Sequence, residues 1–162
     1  MNDIKKIISE ITENILEHEP LRLHTTFKTG GPARFFVSPA ADELPRLIAT
    51  CREIKIPTLI IGRGSNMLVS DEGFDGVVIH LGADAAKVTV EEDTVTAEAG
   101  ASLIDVSLSA CREGLTGFEF ATGIPGSVGG AVIMNAGAYG GEIKQVIKSA
   151  TAIMPDGTVK EF

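Results

Sequence analysis

Gly123-Ile124-Pro125-Gly126-Ser127-Val128-Gly129-Gly130, followed by Asn135-Ala136-Gly137-Ala138-Tyr139-Gly140, is the stretch on which the reading of this chain turns. Half of the glycines, 9 of 18, fall in the 28 residues from Gly114 to Gly141. Glycine loses more conformational freedom on folding than any other residue, so this density is costly unless the backbone has a task there. The usual task is close approach to a ligand, with main-chain N–H groups turned toward an anion or a flat ring. Upstream, Gly62-Arg63-Gly64-Ser65-Asn66 repeats the theme on a smaller scale. It directly follows Thr58-Leu59-Ile60-Ile61, an apolar run of the kind found in buried strands. Two such loops predict an extended, phosphate-bearing cofactor held mainly by backbone.

The first loop permits a tight turn, and Ser65 and Asn66 add side-chain donors suited to a pyrophosphate. It is not the dinucleotide fingerprint, because Met67 stands where the third glycine would be, and neither loop carries a Walker-type lysine. The alternative is an ordinary turn between strands. The second loop carries five glycines between Gly117 and Gly130, more than a turn needs. Ala121, Ser127, Ala136 and Ala138 keep its surface low for a ring or a diphosphate, with Ile124-Pro125 as an apolar shelf. Its alternative is close packing of backbone on backbone. Tyr139, the single tyrosine, is a candidate pocket wall.

Outward from these loops the periodicities give an element order. Ile4, Ile7, Ile8, Ile11 and Ile15 at helical spacing predict a helix over 3–18, stopped by Pro20. Residues 21–28 read as extended up to the turn Thr29-Gly30-Gly31-Pro32, and 33–37 as a strand. Asp42 is placed to cap a helix running to about Arg52, burying Leu44, Leu47, Ile48 and Cys51. A strand over 76–81 and a hairpin over 88–99, turning near Glu92-Asp93, follow the first loop. Ser102 with Asp105 resembles a capping box opening a helix that ends at Gly114. Residues 143–152 read as mostly extended, and Pro155-Asp156-Gly157 turns the chain into a return strand from Thr158 to Phe162. The class is α+β: an N-terminal helix (1–19), a first subdomain (20–82) and a more β-rich second subdomain (83–162). The chain stops inside its last strand, so the sequence reads as truncated.

Conventional catalytic groups are sparse. His18 reads as solvated at a helix end, His24 has no Cys or acid partner at ligand spacing, and His80 ends a strand as a packing or surface position; neither a serine nucleophile elbow nor H-E-x-x-H occurs. Cys51 and Cys111 stand far apart in no metal-like spacing and read as packed, inert thiols. The net charge of −8 argues against a broad nucleic-acid footprint. With no apolar leader and no membrane-length apolar run, the sequence predicts a cytoplasmic protein without a membrane partner.

Three motifs in order resemble one family. His24-Thr25-Thr26-Phe27-Lys28-Thr29-Gly30-Gly31-Pro32-Ala33 is similar to the opening signature of the UDP-N-acetylenolpyruvoylglucosamine reductases. Gly62-Arg63-Gly64-Ser65-Asn66-Met67-Leu68-Val69 resembles their first FAD loop, and the stretch from Gly117 to Gly140 resembles their second. The resemblance covers the chain from about residue 20 onward. It implies a vanillyl-alcohol-oxidase-type fold of two α+β subdomains with FAD held non-covalently, since no histidine in the first loop could attach a flavin. It further implies NADPH as reductant, a UDP-sugar enolpyruvate as substrate and UDP-N-acetylmuramate, a peptidoglycan precursor, as product. The flavin-binding residues carried over are Gly62, Arg63, Gly64, Ser65, Asn66 and Met67, then Gly123, Ile124, Pro125, Gly126, Ser127, Gly129 and Gly130, with Asn135, Gly137 and Ala138. No catalytic residue is assigned, because the family's arginine, serine and glutamate positions would follow Phe162; NADPH turnover by this chain is expected near zero. Another flavin oxidoreductase of the same fold, or an inactive flavin-binding fragment, are the competing readings.

Overall fold

The computed structural model describes residues 2–162. Helix α1 (Asn2–Ser9) is followed by strand β1 (Ile15–Pro20), strand β2 (Pro32–Val37), helix α2 (Leu44–Glu53), and strands β3 (Thr58–Ile61) and β4 (Phe74–His80). These four strands form one sheet in the order β1-β2-β4-β3. β1 runs antiparallel to β2, whereas β2, β4 and β3 are parallel. Parallel neighbours need long crossovers. α2 supplies one between β2 and β3, and residues 62–73 supply the other between β3 and β4, so the first glycine loop opens a crossover.

Side-chain alternation along the strands makes two cores. Phe35, Val37, Val77 and Ile79 face α1 and α2, packing with Ile8, Leu47 and Cys51. Phe36 and Val78 face the other way with Leu21, Ala33 and Ile61, and Met67 and Val69 of the crossover close over them. A register shift between Ala33 and Phe35 explains how Ala33 and Phe36 share a face. Burying side chains of this size contributes roughly 1.5–3 kcal/mol each relative to exposure, so both faces are stabilised.

The remaining chain forms the hairpin β5–β6 (Val88–Glu91, Thr94–Ala97), helix α3 (Leu103–Arg112), a 3-10 turn at Glu119–Gly123 and helix α4 (Val128–Met134). A third core joins Leu103, Phe120, Ala121, Ala131 and Ile143. The two-residue ribbon β7–β8 (Gly137–Ala138, Gly141–Glu142) follows, and then the hairpin β9–β10 (Thr151–Ile153, Val159–Glu161). That last hairpin returns to α2: Ile153 packs against the first core, and Gly157 sits close to Pro45 and Ala49.

Several expectations are corrected. The predicted helix over 3–18 ends at Ser9, and Ile15–Pro20 pairs with Pro32–Val37 instead. Ile15 keeps helical spacing with Ile11, but it pairs with Val37 at the start of the β1–β2 ladder instead. The predicted extended segment 21–28 opens with a 3-10 turn at Leu21–Leu23. Asp42 does not cap α2; Glu43 precedes it and accepts a hydrogen bond from the Ala40 N–H at 2.9 Å. Ser102 is the residue before α3, yet its side chain makes no cap hydrogen bond. The stretch 143–152 begins with a 3-10 turn at Ile143–Gln145 and is extended only from Thr151. Cys51 is buried as expected, while Cys111 is exposed.

Candidate flavin site

The two glycine loops, about sixty residues apart in sequence, touch in space. A methyl on Gly62 would overlap Ser127 Oγ, and one on Gly126 would lie 3.7 Å from Ser65 Oγ. The first loop is placed by the end of β3, where the Leu81 N–H donates to the Ile61 carbonyl at 2.9 Å. The second is placed by a short bridge to α3's entry: Leu103 N–H donates to the Gly126 carbonyl, and Val128 N–H to the Ala101 carbonyl. Gly129 N–H then donates to the Ala99 carbonyl at 2.8 Å. The second loop is not loop throughout, since Val128–Met134 is helical. Its two adjacent glycines lie in that helix's first turn.

The first loop leaves main-chain donors free. Among the described residues, the main-chain N–H groups of 63–67 donate to no protein acceptor, and neither do those of Gly126 and Ser127. Backbone N–H groups at loop turns are strong donors that seek partners, and a cluster of them suits an anion. Arg63 adds a cation and enters no ion pair among the described residues. Ser65 and Asn66 lie on the same loop. These features fit the diphosphate of FAD: main-chain donors and a positive charge. The glycines at 62 and 64 are required by close packing on Ser127 and on the His24 carbonyl, the alternative that the sequence left open for the second loop.

Beyond α4 the chain is pinned by Asn135. This residue adopts the left-handed conformation (φ +44°) and donates to Glu142 Oε2 at 2.6 Å. It also accepts from the Lys144 N–H at 2.9 Å. Lys144, then Asn135, hold the Glu142 carboxyl below its ordinary pKa. Gly137 and Ala138 form β7, and Tyr139 at the tip of the ribbon is 96 % exposed with φ +53°. Tyr139 therefore walls nothing within this chain. Ile124 and Pro125 bridge the 3-10 turn and Gly126, with Ile124 packed against the third core.

The histidines fall into two places. His18 stands in β1 with φ +56°, on a cleft of about 430 Å³ with Arg34 and Asp75 at the beginnings of β2 and β4. A second cleft of about 540 Å³ is lined by Thr12, Glu43 and Asp84 among others. Neither cleft includes a glycine-loop residue. His24 and His80 lie at the other end of the sheet, behind the first loop. Burial, and secondarily the nearby His24, push the His80 imidazole below its ordinary pKa. Among the described residues no cluster of His, Cys, Asp or Glu could hold a metal. The contribution that sequence reasoning missed is main-chain: His24 and Thr26 form the floor under Gly64. The signature around Thr25–Thr26 was visible, but nothing local says which loop it supports.

The fold and these loops define an FAD-binding domain. A family described as "FAD binding domain" matches residues 32–162, and the chain belongs to it. The fold is of the vanillyl-alcohol-oxidase type: p-cresol methylhydroxylase, at 17% identity, superposes with a TM-score of 0.74 over 99% of this chain and 35% of that one. More particularly, the UDP-N-acetylenolpyruvylglucosamine reductase (MurB) of Thermus caldophilus is similar at 34% identity and TM-score 0.75, over 92% of this chain and 51% of that one. The UDP-N-acetylenolpyruvoylglucosamine reductase of Syntrophomonas wolfei subsp. wolfei is 47% identical over 151 residues, 93% of this chain and 50% of that protein. The chain spans about half the length of the curated relatives it matches.

Proposed function

We propose that this chain is the FAD-binding part of an NADPH-consuming reductase that converts the enolpyruvyl ether of UDP-N-acetylglucosamine to UDP-N-acetylmuramate for peptidoglycan synthesis. The observation that carries the reading is the contact between the Gly62 and Ser127 loops, which turns two separate glycine motifs into one shelf of unpaired N–H donors. Gly62 to Met67 hold the diphosphate, with Arg63 offsetting its charge. Gly123, Ile124, Pro125, Gly126, Ser127, Gly129 and Gly130 form the facing wall. Asn135, Gly137 and Ala138 carry the shelf beyond α4. The two subdomains meet at this shelf, one from 20–82 and the other from 83–162.

When bound, FAD supplies the hydride chemistry, and the protein supplies binding and orientation. This division of labour accounts for a site rich in backbone and poor in acids and bases. The same reading makes the protein cytoplasmic, where NADPH and UDP-sugars are available; no helix among the described residues is long and apolar enough to cross a membrane. The test is a visible-range titration of the purified chain with FAD. A structured flavin band and a raised thermal midpoint are expected. The reading is refuted by an unperturbed free-flavin spectrum together with no stabilisation at saturating FAD.

A further inference from the structure

Gly64 does not hold its own conformation. It takes the left-handed φ of +60°, and a methyl there would overlap the His24 carbonyl oxygen. The Thr26 N–H donates to the Gly64 carbonyl at 3.1 Å, and Thr26 Oγ1 lies 3.4 Å from the same oxygen. The first loop is thus folded over residues 24–26, a segment with no helix or strand of its own.

Side chains fix that segment. His24 Nε2 lies 2.8 Å from Glu19 Oε1 of β1, and because a carboxylate only accepts, the ring nitrogen donates. The His24 ring stacks on Phe36 of β2 with centroids 4.0 Å apart. His80 of β4 completes the group, its ring 5.4 Å from Phe36 and 5.9 Å from His24, and its Nδ1 3.2 Å from Ser38 Oγ. The Glu19 and His24 side chains are only 19% and 22% exposed, so the carboxylate–imidazole bond is shielded from competing water. Three strands therefore hold one imidazole, and its main chain holds the glycine loop.

We propose that Glu19 and His24 are positioning residues for the first flavin loop. Their bond locks the His24–Thr26 main chain under Gly64, and so sets the direction of the unpaired N–H groups of 63–67. Neither side chain takes part in the loop itself; both act through backbone. The inference rests on the reading of that loop as the FAD diphosphate seat.

The experiment uses the full chain and two readouts, one without flavin. Exchange of the Thr26 amide hydrogen is followed by NMR in the flavin-free protein, and FAD affinity by titration. Glu19→Ala and His24→Ala should each speed Thr26 exchange and weaken FAD binding by about tenfold or more. Glu19→Gln, whose amide oxygen still accepts from His24, should stay within about threefold on both scales. Glu19→Asp, a milder break, should fall between them and serves if the alanine variants fail to fold. Arg34→Ala, which removes a 3.4 Å contact to Asp75 at the other end of the same sheet, should move neither readout. Unchanged Thr26 exchange in the Glu19 and His24 variants overturns the proposal whatever FAD does. Faster exchange with unchanged FAD affinity overturns the positioning role. If the unaltered chain takes up no FAD, the flavin reading and this role fall together, while the exchange data still report whether the pair holds the loop.

Discussion

Replacing Gly62 with alanine probes the contact on which the site depends. The added methyl would overlap Ser127 Oγ and lie 3.0 Å from Ser127 Cβ. Ser127 is 4% exposed, so its hydroxyl sits inside packed protein and the overlap is not relieved by swinging into solvent. Overpacking of this kind costs about 1–3 kcal/mol. In a chain of this length, each kcal/mol lowers the melting point by roughly 2–4 °C, so a fall of about 2–12 °C is expected. Ser127→Ala alone should change little, because Ser127 Oγ makes no cap hydrogen bond to α4. In the Ser127→Ala background the oxygen is gone and only the Cβ contact remains, so Gly62→Ala should cost under about 1 kcal/mol. The double-mutant cycle, read by urea unfolding of the four proteins, should give a coupling of about 1 kcal/mol or more, within the usual range for touching residues. An equal cost of Gly62→Ala in both backgrounds would mean that the loops do not meet, and the shelf would be lost with them.

Gly126→Val separates fold from cofactor: a Cβ there has only ordinary contacts at 3.7 Å, so stability should change by under about 1 kcal/mol while FAD titration shows loss of binding; retained affinity would remove Gly126 from the site. His80 predicts a pH response. Its folded pKa is depressed, so the unfolded chain takes up the proton more readily, and stability should fall as pH drops below the ordinary histidine value of about 6.5. Melting points between pH 7.5 and 5.5 should therefore decline less in His80→Gln than in the parent; parallel declines would refute the assignment. A thiol reagent should modify exposed Cys111 quickly and Cys51 only on unfolding, since burial both shields the Cys51 thiol and raises its pKa; two fast thiols would contradict the packing around α2.

Much of the architecture was legible because it is written locally. The turn at Glu92-Asp93, the span of α3 and the Pro155–Gly157 turn appear where their residues predict. Thr58–Ile61 is a strand as expected, but not a buried one: it is the edge of the sheet, with Thr58 and Ile60 exposed. Two of the errors are overrides of local preference by distant partners. Ile15–Pro20 continues a helical spacing, but β2 was available to pair with it, and backbone pairing with a distant strand outweighs a weak local preference. Val128–Met134 looks too glycine-rich for a helix, yet it is anchored by bonds to Ala99 and Ala101 and buries Ala131 in the third core.

The sequence by itself determined that two glycine loops and a threonine-rich signature exist, that acid and base groups are sparse around them, and which family they resemble. Those are statements about residue type and spacing, which a chain carries before it folds. Only the tertiary structure decided that Gly62 meets Ser127, that Gly64 is folded over His24, and that Glu19, Phe36 and His80 converge behind it. Each of those contacts joins residues on different elements, and their proximity follows from strand order and crossover path. No local pattern encodes either.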